Sequence, residues 1–240
     1  MSMMSPTKTD GIPPFLDRKP LTFSYSFLHA YDSVCPYQAF RTYIVRDIPY
    51  EETPERKRGN DAHDALALRV SGGKPLPDQM REFETFVAPL DGLGAKAEGK
   101  IAITKDGIPT GYFDKNVWFR GAVDVSIVKE TTGFILDWKL ISDKGVRWTK
   151  QFELQVHAVL LHAKYPHLKV IKARYAFLNQ KQFSETYDCS DTTATWAKIN
   201  ELTTQITIDK AAGSFEKRQG PLCGWCSVFD CENNRNQRKP

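Results

Sequence analysis

The sequence has no apolar run approaching the roughly 20 residues that a membrane-spanning helix needs. Its first twenty residues, MSMMSPTKTDGIPPFLDRKP, also lack the hydrophobic segment of a secretory leader. Together these absences predict a soluble, cytoplasmic protein with no membrane partner. There is no internal repeat and no low-complexity block, which excludes solenoids and fibrous arrays. Excess charge of one sign is scarce as well. Thirty-three Lys+Arg against 29 Asp+Glu leave a formal +4 over 240 residues, too slight to mark a polyanion-binding protein by itself. Cysteine is sparse and odd in number, five in all, so a disulfide framework is a poorer reading than metal ligation.

What is present is enough apolar material for a substantial core: 41% hydrophobic residues and 12% aromatics. Residues 1–20 carry four prolines and read as a flexible arm, with the main domain over 21–220 and a cysteine-rich basic tail over 221–240. The stretch 23–44 predicts two short helices, capped by Ser24 and reopened at Pro36. A helix over 55–70 stops at Gly72-Gly73, and another starting at Pro77-Asp78 ends at Pro89. The period then turns strand-like at 98–104, 117–128 and 133–141. A helix at about 147–164 follows, then a hairpin over 167–188 and a long helix capped by Asp191 and closed by Gly213. The core order is helix, three strands, helix, strand, with helices added at both ends: a mixed α/β (α+β) fold around a mixed sheet.

Residues i and i+2 of a strand share a face, so Asp137 and Lys139 project together while Trp138 points away. Pairing Val128 with Gly133 sets Asp124 opposite Asp137. Two carboxylates about 5 Å apart would repel unless a cation lay between them, and Mg²⁺ prefers such oxygen ligands. Acids fill 29 of 240 positions, so about one lysine in eight follows an acid at i−2 by chance. The setting carries more weight than the pattern. Both acids lie inside apolar runs, FILDWKLI and GAVDVSIV, where an unpaired carboxylate is costly. Lys139 supplies a point charge for a phosphate oxygen or a metal-bound water. His63 on a helix is a further candidate ligand, and its imidazole would admit Mn²⁺ as well as Mg²⁺. Glu98, at the start of the first strand, could reach the same ion. Gln151 and Gln155, one helical turn apart, could present amides toward the sheet.

Cys223, Cys226 and Cys231 put three thiols in nine residues, and one more thiolate would complete a four-coordinate site. Thiolate-only sites favour Zn²⁺ or iron–sulfur clusters, and the spacing alone leaves both open. Arg58 in the run before His63, and Lys144, Arg147 and Lys150 after Lys139, suit phosphate contacts that ignore sequence. Trp148 and Tyr112 are candidates for stacking on a base of single-stranded DNA.

Taken together, SYSFLHAYDSVCP, Gly59-x3-His63, Gly121-Ala-Val-Asp124, Ile135-Leu-Asp137-Trp-Lys139 and Gln155 within QFELQVHAVLL resemble the RecB-like branch of the PD-(D/E)XK nuclease superfamily. That branch includes CRISPR adaptation nucleases and phage and bacterial recombination exonucleases, and the resemblance spans nearly the whole chain. It implies a restriction-endonuclease-like αβββαβ core and a Mg²⁺- or Mn²⁺-dependent exonuclease acting on DNA ends or single strands. It also implies metal ligation by His63, Asp124 and Asp137, with the Trp138 carbonyl as an extra oxygen. Lys139 would position water or phosphate, and Gln155 would orient DNA or Lys139. The chain departs from the family in having Asp137 where Glu is commoner, and Val159 where a Tyr often follows the Gln. A contribution from His157 or Tyr165 would then be needed. Iron–sulfur members take one Cys near the N-terminus, just before a Pro, and three near the C-terminus. Cys35-Pro36 fits, so the resemblance makes Cys35 the fourth ligand of a [4Fe-4S] cluster, with Zn²⁺ as the alternative. Cys189 reads as a plain strand-end residue. A homo-oligomer or a recombination or CRISPR protein partner is compatible with this class, and the rival reading is a catalytically silent DNA-binding or scaffold protein.

Overall fold

A computed structural model describes residues 20–49, 51–146 and 149–235, except for the Lys144 side chain. In chain order the helices are α1 (Tyr25–His29), α2 (Pro36–Ala39), α3 (Pro54–Gly72), α4 (Glu84–Val87), α5 (Asp143–Val146), α6 (Gln151–Lys164) and α7 (Thr193–Ala212). The strands are β1 (Lys96–Ile103), β2 (Pro109–Thr110), β3 (Phe119–Lys129), β4 (Thr132–Lys139), β5 (Val170–Phe177), β6 (Gln182–Phe183) and β7 (Tyr187–Asp188). The expected helix, three strands, helix, strand order is present as α3, β1, β3, β4, α6 and β5.

Residues 51–196 form one compact unit, and the described residues of the two ends, 20–49 and 197–235, form another. In this end unit the two ends of the chain bond to each other. Tyr37 N–H donates to the Glu216 carbonyl at 3.0 Å, and Tyr31 donates its hydroxyl to Asp209. Arg41 bridges Asp47 and Asp230, each at 2.9 Å. In this end unit α1 and α2 each run on into a π-turn, Ala30–Val34 and Phe40–Val45. Ser24 caps α1 by accepting from Phe27 N–H, and Pro36 opens α2, as the sequence predicts.

The larger unit is built on a seven-stranded sheet of order β2-β1-β3-β4-β5-β6, with β7 also paired to β5. β1, β3 and β4 form an antiparallel meander, and β5 returns parallel to β4 through α6. The β3–β4 ladder pairs Val128 with Gly133, the register expected, and adds Lys129↔Thr132, so the turn is two residues. Glu130 takes the positive φ (47°) that such a tight turn requires. Thr53 caps α3 by accepting from Arg56 N–H, Pro54 fills its first turn, and Gly73 ends it in the left-handed region. The segment after Pro77 is a 3₁₀ turn, then α4, then a second 3₁₀ turn through Leu90, rather than one helix stopped at Pro89. The expected 167–188 hairpin is likewise β5 flanked by the two short partners β6 and β7.

Helices cover both faces of this sheet. On one, Leu66 of α3 and Phe86 and Val87 of α4 bury against Val125, Leu136 and Trp138. On the other, α6 lies so close that a Cβ at Gly121 would sit 2.9 Å from Leu160 Cδ1. Regular alternation would put Gly121 and Val125, four residues apart, on one face. They face opposite helices, so the ribbon reverses its faces between them. The reversal falls at Glu98 and Asp124, the rung skipped in the ladder that runs from Lys96↔Ser126 to Ile103↔Phe119. Glu98 has φ 47°, a left-handed backbone that costs a non-glycine residue about 1–3 kcal/mol. No helix among the described residues is long and apolar enough to cross a membrane.

Candidate metal centre

The strained rung is where the acidic groups gather. α3 brings His63 over it, with Nδ1 3.5 Å from Asp124 Oδ1. The other Asp124 oxygen accepts from Trp138 N–H at 2.8 Å, tying β3 to β4 at the end of their ladder. One ligand atom each from His63, Glu98 and Asp124 lie within 4.8 Å of one another. Opposed ligands of a Mg²⁺ or Mn²⁺ ion stand about 4 Å apart, so small side-chain rotations would close these three on one ion. A nitrogen with two carboxylates is also the donor chemistry such ions accept.

Asp137 and Lys139 stand beside this group. Lys139 Nζ is 2.8 Å from Asp137 Oδ2 and 2.9 Å from Glu153 Oε2 of α6, with the Tyr175 ring 5.3 Å away. Tyr175 donates its hydroxyl to Glu153 Oε2 at 3.2 Å and to the Lys150 carbonyl at 2.8 Å. His157, one turn along α6 from Glu153, sets Nδ1 3.7 Å from Asp137 Oδ1. Lys139 is the charged partner of Asp137 Oδ2, and Asp137 is not among the three residues whose ligand atoms converge.

Burial and charge divide these groups electrostatically. Burial alone would depress the His63 imidazole, yet its bond and attraction to Asp124 raise it above its usual value. Burial opposes ionisation of Asp124, but His63, the Trp138 N–H and Lys139 together hold its carboxyl below the ordinary range. Glu98 is pushed up by desolvation and by Asp124. Asp137 is raised furthest, by complete burial and by Asp124 and Glu153, against the pull of Lys139. Lys139 is desolvated too, but Asp137 and Glu153 keep it firmly charged. Burial lowers His157, so that imidazole is neutral. Carboxyls raised by burial and mutual repulsion are what a divalent cation would relieve.

An open cavity of about 630 Å³ exposes the site, lined by His63, Glu98, Asp124, Trp138 and Lys139 and by Arg56, Gly59 and Asn60 of α3. Trp138 contributes main chain, since its indole is buried in the core. Two expected residues lie elsewhere. Gln155 sits two positions from both Glu153 and His157, about 200° round the helix, so α6 offers those two to Asp137 and Lys139 instead. Arg58 is likewise two positions from Arg56 and Asn60, and is exposed away from the cavity they line. The i, i+4 pair Glu153/His157 and the i, i+4, i+7 set Arg56/Asn60/His63 were the signals for these faces. His157, not Tyr165, is the helix residue at the site; Tyr165 caps the far end of α6. Lys150 is exposed just before α6, while Arg147, Trp148 and the Lys144 side chain lie outside the described residues.

Cys35, Cys223, Cys226 and Cys231 line a second cavity, of about 410 Å³, within the end unit. Gly220 N–H donates to Cys223 Sγ at 3.3 Å and Val228 N–H to Cys226 Sγ at 3.5 Å, contacts suited to thiolates. Burial raises the Cys226 thiol, and the other three cysteines raise it further. Among the described residues no three of these sulfurs lie within 4.8 Å of one another. A single zinc, with Zn–S about 2.3 Å, would draw its sulfurs to about 3.8 Å. Cys189 belongs to the other unit, where burial pushes its thiol up to about 11.

No family model and no curated protein sequence matches the chain. Solved structures do. The protein SSO0001 aligns over 90% of this chain and 88% of its own, with a TM-score of 0.55 at 14% identity. "Putative exonuclease" from Eubacterium rectale aligns over 99% and 96%, with a TM-score of 0.53 at 11% identity. The chain shares their fold. At these identities the likeness is one of architecture, a mixed sheet between helices.

Proposed function

We propose that the chain is a Mg²⁺- or Mn²⁺-dependent deoxyribonuclease of the RecB-like PD-(D/E)XK type, an exonuclease acting without sequence preference on DNA ends or single strands. Phage or bacterial recombination, repair and CRISPR adaptation are the pathways such an activity serves. The observation that carries the reading is the convergence of His63, Glu98 and Asp124 on one point beside a charged lysine, in an open cavity walled by Arg56 and Asn60. The nuclease-like fold shared with a protein named as an exonuclease supports it.

His63, Glu98 and Asp124 would hold the ion, with Asp137 as the fourth protein ligand and the Trp138 carbonyl as a further oxygen. Bound there, the ion supplies Lewis-acid polarisation of a phosphate and a water acidic enough to attack near neutral pH. Lys139, kept charged by Asp137 and Glu153, binds a non-bridging oxygen of the scissile phosphate. Neutral His157 lies behind Asp137, its Nδ1 3.7 Å from Oδ1. Arg56 and Asn60 bind the neighbouring backbone, which explains why base identity would go unread. The products would be 5′-phosphate and 3′-hydroxyl ends. The four cysteines would carry a [4Fe-4S] cluster, or alternatively Zn²⁺, that staples the two chain ends.

The test is incubation of end-labelled linear and circular DNA with protein and Mg²⁺ or Mn²⁺. Linear DNA should shorten from its ends, circles should persist, and chelator or Asp124→Asn should abolish product. DNA binding by the wild type with no metal-dependent product would replace this reading with that of a silent scaffold.

A further inference from the structure

The ribbon that carries the Glu98–Asp124 rung carries a second built feature at its other end. We propose that Tyr112 and Phe113 form a stacking platform for an unpaired base of single-stranded DNA whose backbone runs along β1 and β3 to the metal centre. The proposal rests on the nuclease reading and names its substrate as unpaired DNA.

Phe113 is 80% exposed, and isolated exposed aromatics are ordinary. This one is supported. It meets Tyr112 edge-on at 5.1 Å. The Arg120 guanidinium lies 5.0 Å from the Tyr112 ring and 5.5 Å from the Phe113 ring, and donates to the Tyr112 carbonyl at 3.1 Å. Lys100 adds an ammonium 5.8 Å from Tyr112. The flanking loop is pinned: Thr104 N–H bonds the Ile108 carbonyl at 2.9 Å, Asn116 N–H bonds Asp114 Oδ1 at 2.8 Å, and Trp118 stacks on Trp196. Two rings and two cations gathered at the surface match what unpaired bases and their phosphates require. A duplex keeps its base faces stacked inside and cannot use such a surface.

Position ties the platform to the site. Gly121 faces α6, so its neighbour Arg120, and Lys100 opposite Ala122, face the other side of the sheet, from which α3 delivers His63. Lys100 is two rungs from Glu98–Asp124 and Arg120 four. At about 3.3 Å per residue these are roughly 7 and 13 Å. The longer distance is about four nucleotides at the 3.4 Å rise of a stacked strand. Lys100 thus falls midway, where an intervening phosphate would pass.

The experiment measures fluorescence anisotropy of a labelled single-stranded 12-mer and its blunt duplex with wild type, Phe113→Ala and Phe113→Trp, in chelator so that nothing is cut. Cleavage with Mn²⁺ is assayed alongside. Phe113→Ala should weaken single-strand binding by about 5- to 150-fold, the equivalent of roughly 1–3 kcal/mol for one stacked base, and leave duplex binding and Tm nearly unchanged. Phe113→Trp should restore it. Equal single-strand affinity in Phe113→Ala, equal loss on both DNA forms, or no single-strand binding by the wild type would overturn the platform. If the wild type cuts DNA but Phe113→Ala binds normally, the platform alone fails. If single-strand binding depends on Phe113 but nothing is cut, the nuclease reading alone fails.

Discussion

Replacing Lys139 with methionine keeps the aliphatic stem and deletes the charge that Asp137 and Glu153 share. At 2.8 and 2.9 Å each contact is about 6 kcal/mol of attraction at an effective dielectric near 20, most of it offset by desolvation. Stripping one partner from a buried pair nets a loss of about 3–5 kcal/mol. For a chain of this size that is about 6–20 °C in Tm. Proton uptake limits the damage, because the Asp137 carboxyl is already raised and loses its chief opposing charge in the variant. Its folded pKa then exceeds the unfolded one by more, so the native state holds a proton that the unfolded chain releases. Stability therefore falls as pH rises from the ordinary carboxylate range through the raised value, by up to about 1.4 kcal/mol per pH unit. Differential scanning calorimetry of wild type and Lys139→Met at pH 5 and 8 should show the smaller deficit at pH 5. Adding Asp137→Asn should recover half or more of the lost Tm without restoring cleavage, separating stability from chemistry. A variant with wild-type Tm at pH 8, or a deficit that does not shrink on acidification, would refute the buried-pair argument.

Three other outcomes follow from the same geometry. His63 must shed its proton to ligate, and its pKa is raised, so Mn²⁺ affinity by calorimetry should fall up to about tenfold per pH unit as pH drops through the neutral range; His63→Ala should flatten that slope. Cys226→Ser should abolish iron content and visible absorption in the purified protein, while Cys189→Ser should leave both intact. Gly121→Ala should lose about 1–3 kcal/mol in denaturant titration, since its Cβ would sit 2.9 Å from Leu160 Cδ1, although Gly→Ala usually stabilises a strand.

Where local chemistry decides structure, the sequence is legible. Ser24, Pro36, Gly73 and Gly213 stop or start helices at the expected positions, and the pairing of Val128 with Gly133 is the β3–β4 register that the ladder shows. Gln155 was named from its one-turn spacing to Gln151 and from the family resemblance, and Arg58 from its basic run; the helix faces turned toward the site carry Glu153 with His157 and Arg56 with Asn60. Glu98 was named from its place at the start of a strand, yet its left-handed backbone has no sequence signature, because the strain is imposed by a ribbon reversing its faces. The role of Glu153 was hidden for a related reason: a helical glutamate reads as solvated surface until the sheet brings a lysine to it.

The end unit also sets the order in which a growing chain can bury itself. Residues 20–49 are made early, but their partners at 209, 216 and 230 emerge only after the whole sheet-bearing segment. At roughly 5–20 residues per second, the wait across residues 50–197 is about 7–30 s. Phe27, Phe40 and Ile44, buried in the finished protein, spend that interval without their final cover. α1 and α2 are thus made before the sheet yet mature after it, and a nascent chain halted before residue 209 should display them to chaperones.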